Sequence, residues 1–192
     1  MATHLLKDGF FTYLIIAAQL TVFLSSSVST ASEAQIEEST LKAVYIEKFT
    51  RFVEWPKESE IDDTSKPFII GIIGENSLEP TLRKIFSARK IRDKNVIIRR
   101  MSGTDEIDDC HLLYISNISK EKLQTVLSSV KDKPILTISD TESFAMSGVL
   151  INFYVVNNRL RFEINEMAVR KSHLTFSYRL MQIAKIVNPA GG

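Results

Sequence analysis

The sequence is poor in the residue types from which many enzyme centres and covalent cross-links are built. In 192 residues it has one cysteine, 3 histidines, 7 glycines and 5 prolines. A disulfide needs two cysteines, so the lone Cys110 excludes a disulfide within the chain. No segment has the G-x-S-x-G elbow of a serine hydrolase. The glycine-containing turn Gly71–Gly74 lacks the third glycine of a dinucleotide fingerprint and the lysine of a phosphate-binding loop. This thin inventory favours binding over catalysis, and we predict that the protein is not an enzyme.

Net charge is also nearly absent. The chain has 24 lysines and arginines against 23 aspartates and glutamates, a net charge of +1 at pH 7. It contains no long run of basic residues. This balance gives no indication of a nucleic-acid partner or of an anionic substrate.

The run Asp108–His111 comes nearest to a metal-binding motif. Successive residues on an extended strand point to opposite faces, so these four cannot all bind one ion. His173 would have to join them from elsewhere, and nothing in the sequence indicates that it does. We therefore predict no metal site and no cofactor. For Cys110, a buried thiol is favoured over an intermolecular bridge or a redox-sensitive thiol, because free cysteine behaves as a small hydrophobe.

The N-terminus has the layout of a secretory signal peptide. Lys7 precedes an uncharged, mainly apolar segment from Gly9 to Ser32 that ends in small residues. We predict that residues 1–31 are the signal peptide, with cleavage after Ala31 or Ala34, and that the protein is exported. An uncleaved membrane anchor is the alternative, because the uncharged segment is long enough to span a bilayer.

The stretch LKAVYIEKFTRFVEWP, Leu41–Pro56, predicts an amphipathic helix. Its apolar residues recur at helical spacing, at Leu41, Val44, Tyr45, Phe49, Phe52 and Val53. Pro56 disfavours helical geometry at the residue before it, so the helix is predicted to end near Val53.

Short apolar strands and helices alternate through the middle of the chain. Compact apolar runs predict strands at Phe68–Ile73, Val96–Met101, His111–Ile115 and Pro134–Ile138. Polar residues in position to cap or begin the helices are Asn76 or Ser77, Ser119 and Asn165. Such alternation predicts a mainly parallel sheet with right-handed crossovers.

The pattern changes after Gly148. Residues 149–164 predict a β-hairpin that turns at Asn157–Asn158, whose residues tolerate positive φ, and that forms an antiparallel edge of the sheet. A brief strand follows at Leu174 and Phe176, and then a last helix carried by Leu180, Ile183, Ala184 and Val187. The predicted fold class is a single three-layer α/β domain over residues 36–187.

Three stretches of the chain share their pattern with one known family. They are LKAVYIEKFTRFVEWP, PFIIGIIGENSLEPTLRKI, and the end from SGVLINFYVVNNRLRFEIN through LTFSYRLMQIAKIV. Together they resemble the YfiR-type periplasmic proteins of Gram-negative bacteria. The specific part is the helix that ends in Phe-x-Glu-Trp-Pro soon after a signal peptide. The resemblance covers the chain from about Leu41 to Val187.

The resemblance implies a periplasmic repressor that lowers cyclic-di-GMP and biofilm formation. Its partner would be the periplasmic sensor domain of a membrane-bound diguanylate cyclase, and an OmpA-like outer-membrane lipoprotein could sequester it. The resemblance also implies that the protein is not enzymatic. Some relatives carry paired cysteines, whereas this chain has Cys110 alone, so redox control through an internal disulfide is not implied here. A homodimer is a further expectation for a small exported domain.

Two groups of residues are candidates for the partner-binding surface. Exposed tryptophan and arginine are common interface anchors, and the C-terminal segment has a local excess of positive charge. The candidates are Arg51, Glu54 and Trp55 in the first group, and Arg170, Lys171, Arg179 and Lys185 in the second. The alternative for Trp55 is a position packed as a lid on the core.

Two other functions remain open. One is a periplasmic small-molecule-binding or sensor module without a cyclase partner, with its ligand at the C-terminal ends of the strands near Gly74 and Asp140. The other is a hydrolase whose residues meet only in the folded chain. Asp140 itself is predicted to cap the helical turns that follow it.

Overall fold

The computed structural model describes residues 33–104 and 106–188. The predicted signal peptide, residues 1–31, lies outside this range and stays a prediction. Residues 33–38 are helical and belong to a separate compact unit, whereas the α/β unit begins at Ser39. Within the described residues, no helix combines the length and the apolar character that crossing a membrane requires.

The first helix of the α/β unit, α1, covers residues 39–52. Ala43, Ile46 and Phe49 recur at helical spacing and are almost fully buried, so they form its core-facing stripe. The chain leaves the helix at the short strand β1, Val53–Glu54, one residue before the predicted end. Pro56 follows with φ of −64° and ψ of 155°, an extended conformation from which a helix cannot continue.

A seven-stranded sheet forms the centre of the unit. Its strands are β2 Phe68–Ile73, β3 Val96–Met101, β4 Leu112–Ile115, β5 Leu136–Ser139, β6 Ile151–Val156, β7 Arg159–Asn165 and β9 Lys185–Val187. They lie in the order β3-β2-β4-β5-β6-β7-β9, and all neighbouring pairs are parallel except the β6–β7 hairpin. The predicted fold class, mostly parallel with an antiparallel hairpin at residues 149–164, is confirmed.

Five further α-helices follow α1 in the part of the chain that the structure describes. They are α2 Leu78–Phe86, α3 Lys120–Val130, α4 Phe144–Ser147, α5 Glu166–Lys171 and α6 Tyr178–Ile183. Side chains of Asn76, Ser119 and Asn165 accept hydrogen bonds from backbone amides in the first turns of α2, α3 and α5. The hairpin turns at Asn157 and Asn158, whose φ angles are 51° and 56°, as the prediction requires.

The last predicted helix is wrong beyond Ile183. Ala184 is extended, with φ of −88° and ψ of 153°, and the following residues form β9, which pairs in parallel with β7. The hairpin is consequently not the edge of the sheet, because β9 lies outside it. The edge of β7 would otherwise leave backbone N–H and C=O groups unpaired. Hydrogen bonds between β7 and the distant segment that forms β9 therefore outweigh the local preference of that segment for a helix.

The core lies on both faces of the sheet, which gives three layers. On one face, residues of α1, α2 and α6 pack against a cluster that includes Phe68, Ile70 and Phe153. On the other face, α3 and α4 cover a second cluster that includes Ile73 and Ile115. A strand that is buried on both faces has a continuous run of apolar residues. The run Phe68–Ile73 therefore predicted both ends of β2 correctly.

Candidate functional site

The end of the first helix and the C-terminal segment lie side by side. Strand β1 pairs antiparallel with β8, Thr175–Phe176, so that Val53 faces Phe176 and Glu54 faces Thr175. The amide of Ser177 donates a 2.9 Å hydrogen bond to the carbonyl of Phe52. The two stretches that supplied the predicted partner-binding residues therefore meet in one two-stranded sheet.

In the first group, the structure exposes two residues and buries the third. Arg51 is exposed, and its Nε donates to Glu47 one turn earlier at 2.8 Å. Glu54 is exposed on β1. Trp55 is only 8% exposed, and its ring meets Phe68 edge to face with centroids 6.2 Å apart. Trp55 therefore lies in the core. This agrees with the alternative stated for it, a side chain packed as a lid on the core.

The four cations of the second group are exposed, but two of them are already paired. Arg170 binds Glu166 at 2.7 Å within α5. Lys185 binds Glu163 across the β7–β9 pair at 3.0 Å, and this hydrogen bond raises the pKa of Lys185. Lys171 and Arg179 make no ion pair among the residues described. The local excess of positive charge is therefore smaller than the sequence indicates.

Exposed apolar side chains on the same segment were missed by the sequence analysis. Tyr178 is 75% exposed, Ile183 is 70% exposed and Ile186 is 39% exposed. The helical pattern had placed Ile183 on a buried stripe with Leu180, Ala184 and Val187; Leu180 and Val187 are buried, but Ile183 is not.

We call Tyr178, Arg179, Ile183 and Ile186 the C-terminal surface. Lys185 does not belong to it, because it shares its face of the sheet with Glu163, whereas Ile186 points to the opposite face. Large apolar residues beside a cation are typical of protein-binding surfaces.

A buried polar cluster joins α1 to the C-terminal ends of the strands. The ammonium of Lys42 binds the carboxylate of Asp140 at 2.7 Å, and the hydroxyl of Ser116 donates to the same carboxylate at 2.6 Å. Burial alone would raise the pKa of Asp140, but the charge of Lys42 and hydrogen bonds from Lys42, Ser116 and Tyr114 outweigh it and lower the pKa. Asp140 thus holds the first helix on the sheet, and the prediction that it caps α4 is wrong.

Gly74 and Asp140 were predicted to border one ligand site. Gly74 has a φ of +90°, and a Cβ on it would lie 1.7 Å from the carbonyl oxygen of Ser116. The loop after β2 is therefore packed directly on the loop after β4, and this contact requires glycine. Asp140 also lines a cavity, which it shares with Asn152 of β6.

The comparison with known families agrees with this architecture. The YfiR/HmsC-like family model matches residues 39–185, from the start of α1 to the start of β9. The chain belongs to the YfiR/HmsC-like family. Among curated proteins, no sequence matches the chain. The matched region of this YfiR/HmsC-like protein includes the β1–β8 pair, the Lys42–Asp140 cluster and most of the C-terminal surface.

Two residues of the run that suggested a metal site, His111 and Cys110, have structural roles in this YfiR/HmsC-like chain. His111 stacks on Phe68 with ring centroids 4.8 Å apart, and its Nδ1 accepts a hydrogen bond from the amide of Ile69 at 3.1 Å. Burial, assisted by the charge of Lys94, lowers the pKa of His111 to about 4. Within the described ranges, no three metal-ligating side chains converge.

Cys110 is buried in the second core cluster. It is 5% exposed, and burial raises the pKa of its thiol to about 11. A Cβ on Gly71 would lie 2.9 Å from its Sγ, so the thiol fills the space that the glycine leaves. A thiol in such surroundings is nearly all protonated at neutral pH and is a poor nucleophile.

We expect Cys110 in the native protein to resist thiol reagents. At about pH 8, roughly one thousandth of such a thiol is ionised, and the surrounding core blocks access as well. Absorbance with a chromogenic disulfide reagent should show labelling at least about 100-fold slower than in the urea-unfolded protein. Equal rates in the two states would show that Cys110 is accessible and would reopen a redox role.

Proposed function

We propose that this protein is a periplasmic regulator that binds the sensor domain of an inner-membrane diguanylate cyclase and represses the enzyme. The observation that carries the proposal is the family match over residues 39–185. The YfiR/HmsC-like family is regulatory rather than catalytic. A predicted signal peptide at residues 1–31 supports the location, since it would deliver the domain to the compartment of the sensor.

The C-terminal surface is the proposed contact with the cyclase. Tyr178 and Ile183 each expose at least 70% of their surface, and Arg179 lies beside Tyr178 in the chain. Aromatic and arginine side chains supply much of the binding energy at protein interfaces. Arg51 and Glu54 are proposed as its border, because the β1–β8 pair brings them next to the start of α6.

Repression then follows from a difference in affinity. A repressor that binds the inactive sensor more tightly than the active one shifts the cyclase towards the inactive state. Couplings of about 1–3 kcal/mol are typical and correspond to changes of about 5- to 150-fold. An OmpA-like lipoprotein that competes for the repressor would restore cyclase activity, and lower activity means less cyclic-di-GMP and less biofilm. We also propose that the protein forms a homodimer, as is common for small domains.

Deleting the gene should raise cellular cyclic-di-GMP, and supplying the wild-type protein should lower it again. The double variant Tyr178→Ala/Ile183→Asp should fail to lower it, because losing two interface anchors costs about 2 kcal/mol or more of binding energy. Mass spectrometry of nucleotide extracts measures the effect. Co-purification with the membrane-bound cyclase measures the contact.

The matched control is Ile97→Asp. Ile97 is 44% exposed and lies on β3, at the opposite edge of the sheet from β9. This variant should repress as well as the wild type. Cyclic-di-GMP that stays unchanged on deletion would refute the proposed function. Equal loss of repression by the control would refute the assignment of the C-terminal surface.

A further inference from the structure

A row of polar side chains crosses one face of the sheet near its β9 edge. Ser139 pairs with Asn152, Asn152 pairs with Glu163, and Glu163 pairs with Lys185 in the register of the strands. Directly paired residues on neighbouring strands point to the same face of a sheet. The four side chains therefore lie in one line on one face of the sheet. Farther from β9, the same face is apolar, at Ile73 of β2 and Ile115 of β4.

Three residues of this row, Asn152, Glu163 and Lys185, line a cavity of about 550 Å³, a size typical of small-molecule sites. It opens near the C-terminal end of β5, which is the side of parallel strands where α/β proteins bind ligands. The polar and aromatic residues that line it and enter the argument are Asp140, Glu142, Asn152, Tyr154, Glu163 and Lys185.

Asn152 has an acceptor that the protein leaves unused. The residue is 1% exposed, and its Nδ2 donates to the carbonyl of Phe153 at 3.3 Å. A backbone carbonyl can only accept a hydrogen bond, so the atom of the Asn152 amide that contacts it is the nitrogen. The Oδ1 atom is buried and has no hydrogen-bond partner. A buried acceptor without a donor is unfavourable, so the site calls for a ligand that supplies an N–H or O–H group.

The charges around Asn152 favour a cation. Three carboxylates, those of Asp140, Glu142 and Glu163, line the cavity against the single ammonium of Lys185. Asp140 is paired with Lys42 from outside the lining, while exposed Glu142 makes no ion pair among the residues described. Apart from Asp140, the carboxylates of Glu142 and Glu163 remain in the lining, and their charge would repel an anionic ligand and attract an amine.

The cavity already holds one ammonium group, supplied by the chain itself. The Lys185 Nζ lies 3.0 Å from the Glu163 carboxylate and 5.3 Å from the centre of the Tyr154 ring. A carboxylate beside an aromatic face is the environment in which proteins bind ammonium groups. The Lys185 side chain is 59% exposed on an outer strand, so its flexible stem can move into solvent.

We propose that this cavity binds a small molecule with a primary ammonium group, which donates to Asn152 Oδ1 and replaces Lys185 at Glu163 and Tyr154. Asn152 and Glu163 face each other across the hairpin. Such partners hold their Cβ atoms about 5 Å apart, so one ammonium reaches both side chains. Lys185 is then an internal competitor that occupies the site when no amine is present. This inference does not depend on a cyclase partner.

Calorimetric titration of the purified protein with putrescine, a four-carbon diamine, tests the site. We expect saturable binding at one site, and no binding of butanedioate, the dicarboxylate of equal chain length. Asn152→Leu and Glu163→Gln should each weaken putrescine binding by about tenfold or more, since each removes one ammonium contact. Lys185→Ala should strengthen binding, because it removes the competitor.

Lys171→Ala is the matched control, because it removes an exposed cation that does not line the cavity. It should leave the affinity for putrescine unchanged. If Asn152→Leu does not fold, the putrescine affinities of Glu163→Gln and Lys185→Ala decide the test, since Lys185 is exposed and its removal should not disturb the core. Absence of saturable binding would overturn the proposal. So would equal affinities in wild type and Glu163→Gln, or equal strengthening by Lys185→Ala and Lys171→Ala.

Discussion

Replacing Lys42 with methionine is expected to lower the free energy of unfolding by about 3–5 kcal/mol at neutral pH. The side chains of Lys42 and Asp140 are only 10% and 20% exposed, and their charged atoms are 2.7 Å apart. Methionine keeps the apolar stem of the lysine but leaves the Asp140 carboxylate without its cation. Removing one partner of a buried pair is costly because the remaining charge is poorly solvated.

The size of this effect should depend on pH. The pKa of Asp140 is lowered in the folded wild type, so the pair contributes stability above the unfolded value of 3.8 and loses it as pH falls through the lowered pKa. In Lys42→Met, burial without the cation should raise the pKa of Asp140, which then takes up a proton on mild acidification. Urea unfolding should therefore show a smaller difference between the two proteins near pH 4 than near pH 7.

Two variants serve as controls for this prediction. Lys48→Met removes an exposed lysine from the same helix and should change stability by less than about 0.5 kcal/mol. Lys42→Met/Asp140→Leu removes both charges and should recover a large part of the loss. A loss in Lys42→Met no larger than in Lys48→Met would show that the pair does not hold α1 on the sheet.

Replacing Phe49 with alanine should cost about 3–5 kcal/mol of unfolding free energy. Phe49 is 1% exposed, and its ring centroid lies 5.7 Å from that of Phe153 and 4.8 Å from that of Phe162. Both partners belong to the β6–β7 hairpin. The substitution would leave a cavity between α1 and the hairpin, in addition to the lost transfer free energy of the ring. Thermal and urea unfolding measure the loss.

Tyr178→Ala is the matched control, because it removes an aromatic ring that is 75% exposed. It should change stability by less than about 1 kcal/mol, and this result would show that loss of the Tyr178 ring by itself does not unfold the protein. A loss below about 1.5 kcal/mol in Phe49→Ala would mean that the aromatic cluster is loosely packed, and that the helix and hairpin are joined by other contacts.

Local patterns in the sequence were sufficient to locate most of the elements. The strands Phe68–Ile73 and Val96–Met101 lie where the apolar runs placed them. Ser119 and Asn165 cap the helices that the sequence assigned to them. These features depend on a few neighbouring residues, because a cap or a buried strand is defined by its own backbone and side chains.

Features that depend on pairing between distant segments were not predicted. Residues 185–187 form a strand because β7 offers an open edge, although their own pattern is helical. Asp140 binds Lys42, which lies 98 positions away in the sequence, and so does not act as a local cap. Ile183 is the last residue of α6 and is exposed, although the helical pattern placed it on a buried stripe.

The sequence by itself determined the α/β class, the hairpin and the likeness to the YfiR-type family, because these follow from residue patterns within short segments. Only the tertiary structure decided that Trp55 is buried, that β1 pairs with β8, and that Asn152, Glu163 and Lys185 line one cavity. The physical reason is that strand order and register bring distant residues together, and a single sequence does not encode these pairings in any local pattern.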